Sequence, residues 1–238
     1  MIFLIAAAVA AAAPEPSACP DVVTSAAFIC RALTASKSGQ AEAAAAAFEQ
    51  AAEAQAENEA EKARLWAAAG NMWITANQPG KAAVALDKAL ASPQLQAEQR
   101  GEALLDRARA AEAQNDLKTA RAKANEAIQT ISEDPFLWYF SAALAIREND
   151  AATAKTAIGK ALGLAPNDAT VLFEAGHVYQ FAGQSEEARR YWGQARDSDP
   201  NGPIGQAASK ALEMLPALPA DGAAGPPQKP APVPQPRS

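Results

Sequence analysis

Few residues of this chain have side chains that are typical of catalysis. Its 238 residues include one histidine and two cysteines, and no glycine-rich loop that could hold a phosphate follows a strand. Glu174 and His177 lie three residues apart in a stretch with helical character, where they could form an acid/base pair or bind a metal ion. No third ligand has a matching spacing. The sequence therefore predicts neither an enzyme nor a metal or cofactor site, and an enzyme that depends on His177 is kept as an alternative.

The two cysteines, Cys19 and Cys30, are eleven residues apart near the N-terminus. In an oxidising compartment they could form a disulfide that holds the leading segment, 14–24, against the helix that carries Cys30. As an alternative, residues 17–19 are similar to the end of a lipoprotein signal, although Pro16 stands where that motif has an apolar residue. In that case Cys19 would carry a lipid anchor and Cys30 would be a free thiol.

An apolar run, MIFLIAAAVAAAA, occupies residues 1–13 and ends before Pro14. A helix that spans a bilayer needs roughly 20 apolar residues, so this run is too short to form a stable membrane span. Its length and its small residues are typical of a secretory signal with an A-x-A cleavage site. We therefore expect a signal peptide at 1–13 and an exported, periplasmic protein. Because the first basic residue is Arg31, an uncleaved or cytosolic N-terminus is an alternative.

The composition favours helices and argues against nucleic acid as a partner. Alanine makes up roughly a quarter of the chain, aromatic residues are only 6%, and runs of alternating β-branched residues are almost absent. The formal net charge is −6, and the basic residues are scattered along the chain instead of forming a patch.

Two segments, GKALGLAP at 159–166 and GQARDSDP at 193–200, share Gly, Ala and Pro at the same places and are 34 residues apart. Four spacer residues after each of the first two units allow this period to be extended over five units. These units are 25–58, 63–96, 101–134, 135–168 and 169–202. Counted from the start of each unit, places 20 and 27 are always Ala, place 8 is Gly or Ala, and place 4 is large and apolar. Four residues are about one helical turn, so the spacers would lengthen a helix without turning its faces far.

The fifth unit has the residues of a known repeat at the matching places: Leu172, Ala175, Gly176, Tyr179, Ala188, Trp192, Ala195 and Pro200. This pattern resembles the tetratricopeptide repeat, a pair of antiparallel helices. The resemblance implies an all-α fold, a right-handed superhelical solenoid of helix-turn-helix repeats. It also implies that the four tryptophans are core residues: Trp66, Trp73, Trp138 and Trp192.

The residues after the last unit are of two kinds. Segment 203–215 has apolar residues along one helical face, so we predict a capping helix that covers the last repeat. Segment 216–238 is rich in Pro and nearly free of large apolar residues, which predicts a disordered tail with polyproline character.

The resemblance implies that the first helix of each repeat lines a concave groove for a protein or peptide partner. In this family, places 2, 5, 9, 12 and 13 of each repeat usually face the ligand, and Phe136 is at place 2 of the fourth unit. Ten residues at these places are our candidate groove residues: Arg64, Asn71, Arg109, Glu112, Tyr139, Arg147, Phe173, His177, Gln180 and Phe181. Arg109 and Arg147 are expected to meet carboxylates of the partner. Alternatively, Phe173 and Phe181 pack between repeats.

These inferences together predict an exported bacterial protein of the tetratricopeptide-repeat type. We expect a non-enzymatic adaptor or assembly factor of the cell envelope. The alternative is a scaffold that associates with copies of itself.

Overall fold

The computed structural model describes residues 19–215, so the predicted signal peptide and Pro-rich tail lie outside the described residues. Within this range the chain forms eleven α-helices and no strand. They are α1 (Ser25–Lys37), α2 (Ala41–Ala54), α3 (Glu59–Thr75), α4 (Pro79–Ala91), α5 (Ala97–Ala113), α6 (Leu117–Ile128), α7 (Pro135–Arg147), α8 (Ala151–Leu164), α9 (Ala169–Phe181), α10 (Ser185–Ser198) and α11 (Pro203–Met214). None of these helices is long and apolar enough to cross a bilayer.

The helices form a stack of antiparallel pairs, which confirms the predicted all-α repeat fold. Each helix packs against the next one along the chain, α3 also contacts α5, and α7 also contacts α9. The first helices of the second and third repeats, α3 and α5, have 17 residues, whereas α7 and α9 have 13. The extra turn of each long helix consists of the four spacer residues, 59–62 and 97–100.

The turn between the two helices of every repeat has the same backbone conformation. Place 15 has a positive φ in all five units, between 56° and 74°, and is always Gly or Asn. These are the two residue types that most readily adopt the left-handed conformation at a helix C-terminus. The next N–H donates to the carbonyl oxygen five residues earlier, as from Gln184 to Tyr179 at 2.8 Å. The five residues at this place are Gly39, Asn77, Asn115, Asn149 and Gly183.

Small residues allow the two helices of a repeat to approach closely. The alanines at places 20 and 27 are fully buried in every repeat. At place 8, a Cβ atom on Gly70 would lie 2.8 Å from Leu86 Cδ2, and one on Gly176 would lie 2.7 Å from Trp192 Cε2. Leu86 and Trp192 are both at place 24, so the large side chain of the second helix fills the space left by the glycine of the first.

Replacing Gly176 with alanine should therefore destabilise the protein. The new methyl group would overlap the rigid indole of Trp192, and we expect the free energy of unfolding to fall by about 1–3 kcal/mol. Gly159→Ala is the matched control, because no atom lies within 4 Å of a Cβ at this helical position. There the gain in helix propensity should stabilise the protein by about 0.5–1 kcal/mol. Urea unfolding measures both, and equal stabilities would contradict the close approach.

The two ends of the stack are closed in different ways. At the N-terminal end a disulfide joins Cys19 to Cys30 on α1, with 5.7 Å between the Cα atoms, and the Arg31 guanidinium donates to the carbonyl oxygen of Pro20 at 3.1 Å. At the C-terminal end, Ala208 of α11 and Leu215 just after it are buried against the last repeat. The C-terminal contact shields apolar surface that a next repeat would otherwise cover.

The disulfide should contribute to stability by restricting the unfolded chain. A loop of this length is expected to contribute about 2–3 kcal/mol, so the Cys19→Ala/Cys30→Ala variant should lose that much in urea unfolding. Reduced wild-type protein should behave like the variant. Thiol titration of the denatured, unreduced protein from the native host should find no free thiol. One free thiol and an intact mass increased by a lipid would instead show that Cys19 is acylated.

Trp138 differs from the prediction of four core tryptophans. Trp66, Trp73 and Trp192 are buried, but Trp138 is only partly buried. It borders an open cleft between α6 and α8, and its indole N–H donates to the carbonyl oxygen of Ser132 at 2.6 Å. The cleft leaves one side of the ring accessible.

Candidate partner-binding groove

The first helices of the second, third and fourth repeats line an open cavity of about 440 Å³. On α3 the wall consists largely of Ala67 and Ala68, whose short side chains leave the space empty. On the facing α5 and the start of α7 the wall is larger and more polar. Its residues from these two helices include Glu102, Leu105, Asp106 and Phe136. Arg64 and Asn71, two predicted groove residues, also line this cavity.

Asp106 holds α3 and α5 together at the floor of the groove. Its carboxylate accepts a hydrogen bond from the Asn71 side chain at 2.8 Å and one from the Arg109 guanidinium at 2.9 Å. The Asp106 side chain is only 15% exposed, so these charge-assisted bonds are partly shielded from water. Asn71 and Arg109 are therefore fixed in orientation by their common partner.

Phe136 stands between two recesses of the groove. It lines the 440 Å³ cavity and also a second one of about 330 Å³, which Arg109, Glu112 and Phe140 border as well. The edge of its ring meets Tyr139 with 4.7 Å between ring centroids, and the Arg109 guanidinium lies 5.3 Å from the ring centroid. Phe136 is held at the start of α7, where its N–H donates to the Asp134 carboxylate at 2.8 Å. An aromatic ring with a space on each side could anchor apolar side chains of a partner.

Tyr139 and Glu174 extend the groove toward α9. Burial, together with the nearby Glu174 carboxylate, raises the pKa of Tyr139 to about 12, so the phenol is neutral at physiological pH. Burial also raises the pKa of Glu174 above its ordinary value. No hydrogen bond or ion pair within residues 19–215 involves the Glu174 side chain. This carboxylate is therefore partly desolvated without a partner, which is an unfavourable state for an ionised group.

All three predicted groove arginines already have partners within the chain. Arg64 pairs with Glu61, and Arg109 pairs with Asp106. Arg147 pairs with the Glu112 carboxylate and also donates to the Glu112 carbonyl oxygen at 3.1 Å. A further bond runs from Arg147 to the Asn115 side chain at 2.7 Å. This differs from the expectation that Arg109 and Arg147 meet a partner's carboxylates, because each guanidinium is engaged by a carboxylate of its own chain.

The four predicted groove residues on α9 are not equivalent. Phe173 packs with the buried Trp192, whose indole N–H donates to the Phe173 carbonyl oxygen at 3.1 Å. His177 contacts both rings edge to face, and desolvation lowers its pKa, which favours the neutral imidazole at pH 7. Phe173 is therefore packed against the second helix of its own repeat, whereas the alternative prediction placed it between repeats. Phe181 is partly buried and Gln180 is exposed at the end of the helix.

The acid/base and metal-binding arrangements considered for Glu174 and His177 are not found among the described residues. Glu174 and His177 are not hydrogen-bonded to each other. In the described part of the chain, no group of three or more His, Cys, Asp or Glu residues is placed to hold a metal ion. The groove combines small recesses, aromatic edges and carboxylates, which are features of a recognition surface.

Three acidic groove residues were missed by the selection from sequence. Glu102 is at place 2 of the third repeat, one of the family places that were considered, but it was not selected. Asp106 is at place 6, which those places do not include, although Ala68 at the same place of the second repeat also lines the cavity. Glu174 is at place 6 of the fifth repeat and was considered only for catalysis. Place 6 carries a carboxylate in these two repeats, and this recurrence was the available signal.

Comparison with known proteins shows the fold. No protein-family model and no curated protein gives a significant match. Among solved structures, YrrB, a TPR protein with an unusual peptide-binding site, has 20% identity and a TM-score of 0.56 over 77% of this chain and 91% of its own. PilW, a type IV pilus biogenesis factor, has 18% identity and a TM-score of 0.66 over 79% and 84%. Pseudomonas aeruginosa PilF has 15% identity and a TM-score of 0.63 over 80% and 83%. The predicted resemblance is confirmed at the level of the fold: the chain has the fold of tetratricopeptide-repeat proteins.

Replacing Glu174 with glutamine should stabilise the protein at neutral pH. Because burial raises the folded-state pKa of Glu174 above its ordinary value of 4.5, ionisation at higher pH costs stability. Glu174→Gln removes this cost while keeping the shape, so its melting temperature should exceed that of wild type at pH 7. The difference should disappear as the pH falls below the ordinary value, where both side chains are neutral. Glu213→Gln, at an exposed glutamate of α11, is the control and should show no such pH-dependent gain. A melting temperature for Glu174→Gln at or below that of wild type at pH 7 would contradict the conclusion that ionised Glu174 destabilises the fold.

Proposed function

We propose that this protein is a non-enzymatic adaptor that binds a segment of another protein, or a peptide, in the groove of α3, α5 and α7. The observation that carries the proposal is the pair of recesses on either side of Phe136. Both have volumes in the range of small binding pockets, about 300–1,000 Å³. Neighbouring apolar side chains of an extended segment could enter one recess each, with Phe136 between them.

The polar groups around the recesses suit such a segment. Asn71 and Arg109 are held in place by Asp106, so little side-chain entropy would be lost when a partner contacts them. Tyr139 is a neutral phenol next to Phe136 and can donate a hydrogen bond to a peptide carbonyl. Preorganised polar groups beside an aromatic anchor are typical of the parts of an interface that contribute most to affinity.

Two of the solved structures with the same fold support an adaptor role. One is a protein with a peptide-binding site, and another takes part in building a type IV pilus. We extend the proposal to assembly in the bacterial cell envelope. At this level of identity the likeness concerns the fold, and the groove itself carries the argument for binding.

We further propose that the protein is exported to the periplasm. The apolar run at 1–13 supports this location, since it has the length of a secretory signal. The Cys19–Cys30 disulfide also supports it, because disulfides persist mainly in oxidising compartments. A lipid on Cys19 would exclude this disulfide. The negative net charge is a reason to expect a protein partner and not a nucleic acid.

A crosslinked pull-down from native envelope tests the groove. Phe136→Ala removes the ring between the two recesses, and Val84→Ala on α4 is the control, since Val84 is an exposed apolar residue outside the groove. We expect wild type and Val84→Ala to capture the same partner in equal amounts. Phe136→Ala should capture at least about tenfold less of it, because truncation of an anchor residue usually weakens binding by this much. Circular dichroism checks that the variants remain folded. Equal capture by a folded Phe136→Ala variant would contradict the proposed groove.

A further inference from the structure

We infer that the groove selects a positively charged segment, with Lys or Arg side chains placed so that they meet successive first helices. This inference rests on the proposed function and adds the chemistry of the partner. It is opposite in sign to the sequence-based expectation that groove arginines meet a partner's carboxylates.

The predicted groove arginines are already paired within the chain. The guanidinium groups of Arg64, Arg109 and Arg147 are each paired with a carboxylate of the chain itself. An acidic partner would have to displace these carboxylates, and each displaced carboxylate would lose its charge-assisted bond. In the part of the chain that the structure describes, these three arginines therefore leave no unpaired guanidinium for an acidic segment.

Three carboxylates of the groove have no ion pair with any described residue. Glu102 lines the larger cavity from α5 and has no ion pair in the described residues. Asp134 lines the same cavity at the start of α7, where it accepts a hydrogen bond from the N–H of Phe136 and forms no ion pair with any described residue. Glu174 lies on α9, forms no hydrogen bond or ion pair within residues 19–215, and is close enough to act on Tyr139. The charge of the groove is thus negative after all internal pairs are counted.

These three carboxylates are spaced along the groove. Glu102 is on α5, Asp134 is the N-cap residue of α7 and Glu174 is on α9, so the three carboxylates follow one another along the first helices of the last three repeats. Packed helices are about 8–10 Å apart, and an extended chain advances about 3.3 Å per residue. Cations at about every third residue of an extended segment therefore match this arrangement. The residues between them could place apolar side chains in the recesses beside Phe136.

A cation beside Glu174 would lower the free energy of this carboxylate. A carboxylate that is partly desolvated and unpaired in the free protein gains more from a cation than an exposed carboxylate does. A Lys or Arg side chain here could also lie against the ring of Tyr139. The unfavourable state of Glu174 in the free protein thus becomes a favourable contact in the complex.

The experiment uses the full chain and two labelled twelve-residue peptides. One repeats Lys-Leu-Ser, so that a lysine occurs at every third residue, and the other has Glu in place of each Lys. Fluorescence anisotropy measures both affinities in low-salt buffer, where charge complementarity is least screened. The lysine peptide should bind at least about tenfold more tightly than the glutamate peptide, and added salt should weaken it.

The variants locate the binding site of the lysine peptide. Glu174→Gln should weaken its binding about fivefold, and Glu102→Gln/Glu174→Gln should weaken it by about tenfold or more. Glu213→Gln is on α11, outside the groove, and changes the net charge by the same amount as Glu174→Gln. It should leave the affinity unchanged. Circular dichroism confirms folding, and the conservative substitutions keep the side-chain volumes.

Several results would overturn the inference. Tighter or equal binding of the glutamate peptide would do so, as would unchanged affinity in the two glutamine variants, or no binding of either peptide. If a neutral peptide that repeats Gln-Leu-Ser binds and only Phe136→Ala abolishes it, the proposed groove stands and the charge preference is wrong. If a synthetic peptide of residues 216–238 binds more tightly than the lysine peptide and depends on Glu174, the three carboxylates bind the chain's own tail instead of a partner.

Discussion

The close approach of the two helices within each repeat is the constraint on which the other features depend. Places 8, 20 and 27 carry only Gly or Ala, and at Gly70 and Gly176 not even one methyl group fits. The left-handed residue at place 15 reverses the chain so that the second helix meets the first at this short distance. Because each pair is built in the same way, first helices of neighbouring repeats can lie side by side, as α3 does with α5 and α7 does with α9. The groove is the surface that results.

Within the groove, stability and recognition place different demands on charged residues. Asp106 satisfies both, since it fixes Asn71 and Arg109 and is itself satisfied. Glu174 does not, because burial raises its pKa and it has no hydrogen bond or ion pair within residues 19–215, so we expect its ionised form to weaken the free protein. Residues that are unfavourable for the fold are often those that contact a ligand, and natural proteins tolerate them within a margin of stability.

The sequence was informative where one residue type must recur for a packing reason. The alanines at places 20 and 27, and the 34-residue period, predicted the repeats and the all-α fold because no larger side chain fits there. The pairing of charges was not predictable in this way. Asn71 meets Asp106 and Arg147 meets Glu112, and each pair joins residues 35 apart in neighbouring repeats. Such contacts depend on the rotation between repeats, which depends on all the side chains at the interface.

The longer first helices of the second and third repeats have a consequence for the shape of the groove. The extra turn of α5, residues 97–100, brings Gln99 to the cavity, and the buried Leu95 just before it forms another part of the wall. A turn of helix adds about 6 Å of height on one side. Since four residues return the helix nearly to its starting orientation, this wall could be raised without moving any residue that packs below it. Insertion of a whole turn is thus a way in which a repeat protein can acquire a deeper recess at one chosen repeat while its core remains unchanged.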